Sequence, residues 1–128
     1  FITDGDVYGV MAVCDEKSPI DIYMGIGGAP EGVLAAAALS CLGGQIQTRL
    51  VLDKSQEERT KKMGIKDYKK KYNIDEIIRG DTIFCATAIT DGELLKGIKD
   101  NNEYFETSTF ILHKNSNTNR KITNKHQK

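Results

Sequence analysis

Eighteen Lys and Arg balance eighteen Asp and Glu in a chain of 128 residues, so the formal net charge is zero, with 39% hydrophobic and 28% charged residues. This is the make-up of one ordinary globular domain with no room for a second, and it excludes a chain-wide attraction to nucleic acid or an anionic membrane; an anionic ligand has to be held locally. No run approaches the roughly 18 apolar residues of a membrane span, and residues 1–6 lack the basic start and apolar stretch of a signal peptide, so the cytoplasm is the expected compartment.

The chain starts without Met, and the apolar pair Phe1 and Ile2 runs straight into Asp4, Gly5 and Asp6, so Phe1 reads as the end of a strand cut from something longer. Asp6 is placed to cap a helix whose stripe is Val7, Val10, Met11 and Val13, ended by the polar residues 15–18 and Pro19. Residues 20–24 (Ile, Asp, Ile, Tyr, Met) alternate as a strand does and empty into the loop Gly25, Ile26, Gly27, Gly28, Ala29, Pro30. Residues 31–42 then read as a helix stopped by Gly43 and Gly44. With almost no charge after Glu31, that helix has to be packed on most sides.

Residues 45–52 read as a strand following the buried helix. Ser55, Gln56, Glu57 and Glu58 resemble a capping box opening an exposed helix that runs to Met63 and closes at Gly64. Lys61, Lys62, Lys66, Lys69, Lys70 and Lys71, interleaved with Tyr68 and Tyr72, form a basic cluster, but acidic neighbours and zero net charge favour a solvated face over a nucleic-acid patch. Residues 75–81 are a short helix and turn, and residues 82–89 form the most apolar strand, expected at the centre of its sheet. Thr90, Asp91, Gly92 and Glu93 make a loop at its carboxyl end, with 94–97 compact after it. Residues 104–113 are another strand, 115–119 a polar turn and 120–123 its weak partner, with a fraying end. Cys14, Cys41 and Cys85 are far apart, odd in number and flanked by apolar residues, as befits reduced, partly buried thiols rather than a disulfide framework, a metal knot or a nucleophile.

Loops at strand ends are where α/β sheets bind ligands, and three of them carry carboxylates beside small residues: Asp4-Gly5-Asp6, residues 25–31, and Thr90-Asp91-Gly92. In the second, glycines let the backbone approach a ligand, Pro30 suits the first helical position, and the free amides of the new helix favour an anion. Glu31 faces the same space; a first-turn Glu is also a routine helix-dipole residue, but Gly32, which costs about 1 kcal/mol against Ala in a helix, signals a close approach. Residues 25–32 have neither the Gly-Lys-Ser/Thr ending of a P-loop nor the spacing of the dinucleotide fingerprint. A glycine-rich anion loop beside a carboxylate suits instead a phosphate held next to Mg²⁺ or Mn²⁺, since hard oxygen ligands select such cations.

Asp4-Gly5-Asp6-Val7, the block from Ile20 through Gly25-Ile26-Gly27-Gly28-Ala29-Pro30-Glu31-Gly32 and its alanine run to Gly44, and Gly80-Asp81-Thr82-Ile83-Phe84-Cys85-Ala86-Thr87 with Thr90-Asp91-Gly92 closely resemble the C-terminal part of class II fructose-1,6-bisphosphatases. The resemblance covers nearly the whole chain in order and is weakest after His113. It implies a metal-dependent phosphatase that hydrolyses fructose 1,6-bisphosphate to fructose 6-phosphate in gluconeogenesis, with some relatives acting on sedoheptulose 1,7-bisphosphate. Residue by residue it implies substrate binding at Asp4, Gly5, Asp6 and Gly28, and a ligand to Mn²⁺ or Mg²⁺ at Glu31. The arrangement is also similar to inositol-monophosphatase-type enzymes, where a metal-binding carboxylate opens a small-residue helix. The family's other metal carboxylates, its catalytic threonine and its basic phosphate-gripping residues would lie before Phe1, so the partner implied is the N-terminal half of the same enzyme, the chain alone is expected to be inactive, and the whole enzyme to be a homo-oligomer.

The fold expected is therefore α/β: a layered domain with a mixed β-sheet and packed helices, the sugar-phosphatase-like C-terminal half, with residues 1–114 as the α/β domain and 115–128 as terminal turn, weak strand and tail. A non-catalytic sugar-phosphate-binding or regulatory domain is the alternative reading of the same glycine loop.

Overall fold

The structure, a computed structural model, describes residues 6–128. The strand end read at Phe1 and the assignments of Asp4 and Gly5 fall outside that range. Asp6–Met11 form helix α1, which tightens into a 3-10 turn at Ala12–Cys14. The chain then turns at residues 15–19, where the Ser18 N–H bonds the Asp15 carbonyl at 2.9 Å, and continues without helix or strand through residues 20–28 to Ala29–Leu42, helix α2, ended by Gly43 in the left-handed region at φ 75°. Strand β1 (Gln47–Arg49), helix α3 (Lys54–Lys62), strand β2 (Lys71–Asn73) and the single-turn helix α4 (Ile74–Ile77) follow. The remainder is strand: β3 (Ile83–Thr87), β4 (Lys99–Asp100), β5 (Tyr104–His113) and β6 (Thr118–Gln127).

Helices and strands are combined as an α/β fold should have them, but all the described pairings are antiparallel and lie in separate sheets, not one mixed sheet. In the larger sheet the reason is connection length. A parallel pair needs a crossover of a dozen residues or more, usually helical, whereas β3, β4 and β5 are joined by loops alone. β1 pairs with β2, Thr48 opposite Tyr72. In the larger sheet β5 is the hub. β6 lies along it residue for residue from Tyr104↔Gln127 to His113↔Thr118, which leaves the other edge to be divided between β3 and β4. The most apolar strand, β3, is therefore an edge strand rather than the centre, because β5 carries β6 on one edge and both β3 and β4 on the other. Cys85 is accordingly exposed, while burial raises the thiol pKa values of the half-buried Cys14 and Cys41.

α2 lies on the sheet. Met11, Ala38, Phe84, Leu95, Phe110 and Leu112 form the core, with Val7, Cys41 and Leu42 packed around them. The alanine run is what permits this: Ala35, Ala36 and Ala38 let the helix backbone come close to its neighbours, and Leu39 and Leu112 are fully buried, each worth about 2 kcal/mol.

Other expectations shift by small, explicable amounts. α3 opens two residues early, because Asp53 and Gln56 make the capping box: Asp53 Oδ1 accepts the Gln56 N–H at 2.8 Å, and Gln56 Oε1 accepts the Asp53 N–H at 2.9 Å. No residue of α3 is buried, and Lys70 is tied to Glu76 at 2.8 Å, so the basic cluster is a solvated face. β6 reaches Gln127 rather than stopping at 123, held along its length by β5. Residues 20–24 are extended but not a strand, since no described strand runs beside them.

Candidate active site

α2 begins two residues before Glu31, with Gly28 as its N-cap (φ −67°, ψ 150°) and Pro30 second rather than first in the helix. The Gly32 N–H closes the first helical bond to the Gly28 carbonyl at 3.1 Å. Since Pro30 has no N–H, Ala29 and Glu31 carry the first-turn amides left without an intrahelical acceptor.

The Glu31 side chain folds back over its own N-cap. A Cβ built on Gly28 would lie 2.2 Å from Glu31 Oε2, so the carboxylate occupies the place where any other residue at 28 would put its side chain. A residue other than glycine at this position would have to push the flexible end of Glu31 aside. At Gly32 a Cβ would meet nothing within 4 Å among the described residues, so packing within this part of the chain does not account for that glycine.

Glu31, Gly28, Tyr23, Ile46 and Thr48 line a cavity of about 150 Å³, and Val7 lines it too. Val7 follows Asp6 directly, so the start of α1 is brought beside Glu31 and Gly28. On the other side of the glycine loop, Gly25 to Ala29 face a cavity of about 450 Å³ that is also lined by Arg49 and Gln56. Arg49 escaped the sequence reading, although it is the sole Lys or Arg between Lys17 and Lys54 and lies on the strand after the loop and helix, which is signal enough.

The third loop is different in kind. Asp91 Oδ1 accepts the Gly97 N–H at 2.9 Å, Gly92 N–H bonds the Leu95 carbonyl at 3.0 Å, and Ile98 N–H bonds the Ile89 carbonyl at 3.1 Å. Its carboxylate is spent on closing the loop. With Tyr8 of α1 the loop borders a further cavity of about 360 Å³.

Glu31 makes no ion pair among the described residues, and no three His, Cys, Asp or Glu residues gather there into a group able to hold a metal. Its carboxylate fits a hard divalent cation in kind and falls short in number, because Mg²⁺ takes about six oxygen ligands.

A family model described as bacterial fructose-1,6-bisphosphatase, glpX-encoded, matches residues 1–126. The chain belongs to this family. Among curated proteins it is 40% identical over 139 residues to the class 2 fructose-1,6-bisphosphatase of Haemophilus influenzae, a match covering 98% of this chain and 42% of that one. It is 35% identical over 126 residues to fructose-1,6-bisphosphatase 2 class 2 of Escherichia coli K12, covering 87% of this chain and 39% of the relative. A Synechococcus protein named D-fructose 1,6-bisphosphatase class 2/sedoheptulose 1,7-bisphosphatase is 35% identical over 141 residues, covering 99% and 41%. The chain thus spans about two fifths of the length of these fructose-1,6-bisphosphatases. No helix among the described residues is long and apolar enough to cross a membrane.

Proposed function

We propose that this chain is the C-terminal part of a metal-dependent phosphatase that hydrolyses fructose 1,6-bisphosphate to fructose 6-phosphate and phosphate, and that Glu31 is its contribution to the metal centre. The observation that carries the reading is the Glu31 carboxylate turned over Gly28 at the mouth of α2, beside amides suited to an anion. A phosphate so close to a carboxylate is tolerated only with a cation between them, which is the arrangement phosphoester hydrolysis uses. Bound Mn²⁺ or Mg²⁺ supplies charge neutralisation at the phosphate and an acidified water. Glu31 offers one oxygen ligand, and the others come from the rest of the enzyme.

The chain's own residues bind and orient. The amides of Ala29 and Glu31 donate to phosphoryl oxygens, Gly28 lets the backbone approach, and Arg49 adds positive charge at the neighbouring cavity. Asp4, Gly5 and Asp6 hold sugar hydroxyls or phosphate; Asp6 opens α1, whose next residue, Val7, lines the cavity that Glu31 borders. The physiological setting is gluconeogenesis in the cytoplasm, in a homo-oligomer, with sedoheptulose 1,7-bisphosphate as a second substrate class to assay.

The test is Glu31→Gln in a polypeptide that joins this chain to the remainder of the enzyme. Phosphate release from fructose 1,6-bisphosphate should fall at least about a hundredfold while the melting temperature holds, because Glu31 is exposed. Near-normal release at limiting Mn²⁺ or Mg²⁺ would remove Glu31 from the metal centre. The chain alone should release no phosphate from the same substrate, since ligands, water and phosphate grip act as a unit.

A further inference from the structure

We propose that Ser116 is a base-activated nucleophile that takes acyl groups from activated esters and thioesters, with His113 as its general base and Asp81 as the residue that orients the imidazole. The proposal does not depend on the phosphatase reading and would survive its failure.

Three parts of the chain bring these groups together. The register Ile83↔His113 sets the end of β5 beside the start of β3, and Asp81 lies just before β3, after Gly80 at φ 79°. The Lys114 N–H carries the pairing one step further, to the Thr82 carbonyl at 2.9 Å. The turn at residues 114–117 then leads into β6, with Asn117 in the left-handed region at φ 50°, and brings Ser116 back to His113.

The hydrogen bonds run in one direction. His113 Nε2 lies 2.7 Å from Asp81 Oδ2, and an ionised carboxylate only accepts, so the ring proton sits on Nε2. Nδ1 of the neutral ring is then an acceptor, and the Ser116 hydroxyl donates to it at 2.7 Å. Ser116 Oγ in turn accepts from the Thr118 hydroxyl at 2.6 Å. Asp81 is itself fixed, since Oδ1 accepts the N–H groups of Thr82 at 2.9 Å and Asn115 at 3.2 Å, leaving Oδ2 to the histidine. Nucleophile, base and orienting carboxylate thus stand in successive hydrogen-bond reach, the relation by which such triads are recognised on unrelated folds.

Exposure differs among the three in the direction that reactivity needs. The His113 side chain is 28% exposed, so the ring is held, whereas Ser116 is exposed at the turn and open to an incoming carbonyl. The Asp81 carboxylate repels a phosphate dianion but not a neutral ester, which selects acyl over phosphoryl donors. Ser116 Oγ adds to the carbonyl carbon as its proton passes to His113 Nδ1. The bond from that carbon to the leaving oxygen or sulfur breaks, the leaving group takes the proton, and Ser116 is left acylated. Water activated by the same nitrogen then hydrolyses the ester, releasing a carboxylic acid and restoring the hydroxyl.

The experiment treats the polypeptide that joins this chain to the remainder of the enzyme with p-nitrophenyl acetate and maps the acetyl groups by mass spectrometry. Exposed Ser55 of α3 serves as the internal reference. Ser116 should be acetylated at least about a hundredfold faster than Ser55, the scale of general-base assistance. His113→Ala should bring Ser116 down to the rate of Ser55, and added imidazole should restore it at least about tenfold, a recovery that a purely structural histidine would not show. Asp81→Asn should slow Ser116 about tenfold while amide exchange in β5 and β6, read well below the melting temperature, stays as in wild type. Equal rates at Ser116 and Ser55 overturn the proposal and leave the three residues as a hairpin lock. So does acetyl found on Lys114 in place of Ser116, or an unchanged rate at Ser116 in His113→Ala.

Discussion

Gly28→Ala separates the role of the Gly28 backbone from that of the Glu31 carboxylate it shelters. The backbone at 28, φ −67° and ψ 150°, is open to alanine without strain. Stability should therefore fall only by the difference between glycine and alanine as N-cap, about 0.5–1 kcal/mol. The side-chain consequence is larger. The new Cβ would lie 2.2 Å from Glu31 Oε2, and contact for carbon and oxygen is roughly 3.2–3.4 Å, so the carboxylate has to retreat by about 1 Å. A displacement of that size at a metal ligand is worth about a hundredfold in turnover, or ~2.7 kcal/mol of barrier. Gly28→Ser makes the control, because serine is a good N-cap but carries the same Cβ. The assay is phosphate release from fructose 1,6-bisphosphate by the joined enzyme across a Mn²⁺ or Mg²⁺ titration, with thermal melts alongside. Alanine should melt slightly lower, serine should recover the loss, and both should stay about a hundredfold down. Wild-type turnover in either variant at limiting metal would refute the claim that the carboxylate must sit over residue 28.

Leu112→Ala removes a fully buried side chain from the core and should cost about 3 kcal/mol, lowering the melting temperature by roughly 10 °C; a shift of under about 3 °C would mean the site refills. Gly97→Ala would place a Cβ 2.6 to 2.8 Å from the backbone of Ile89, Thr90 and Asp91, so the loop that Asp91 closes must open, at about 1–3 kcal/mol and with faster proteolysis at 90–97; unchanged protection there would refute the crowding. His113 Nε2 donates to Asp81 Oδ2 at 2.7 Å, and Asp81 Oδ1 accepts from Thr82 and Asn115; these bonds, the histidine's first, hold the Asp81 carboxyl below its ordinary pKa. A depressed carboxylate stabilises the fold above its unfolded pKa of about 3.9 and loses that contribution as pH falls through the lower folded value. Asp81→Asn should therefore be less stable than wild type at neutral pH, with the difference closing below about pH 4; a urea midpoint difference that persists unchanged into that range would contradict it.

How much of this was legible in the sequence depends on whether the cause was local. Gly43 and Gly64 stop their helices at positive φ, as their positions foretold, because a helix end is set by residues in contact along the chain. β5 matched its expected range for the same reason, its alternation being carried by its own side chains. β6 was undervalued because Thr118–Gln127 contains a single large apolar residue, Ile122; what holds it is the partner, through the ladder, the Thr107–His126 contact at 2.9 Å and Lys125 over the Tyr104 ring at 4.5 Å. Residues 20–24 show the opposite failure. Their period-two pattern correctly makes the backbone extended, but a strand is a relation between two segments, and composition says nothing of where the second one lies. The candidate site divides along the same line. Glu31 after its glycine loop could be read directly, whereas the reason for Gly28 lay in a side chain folding back three residues, and Arg49 joined the site only through the antiparallel pairing of β1 with β2.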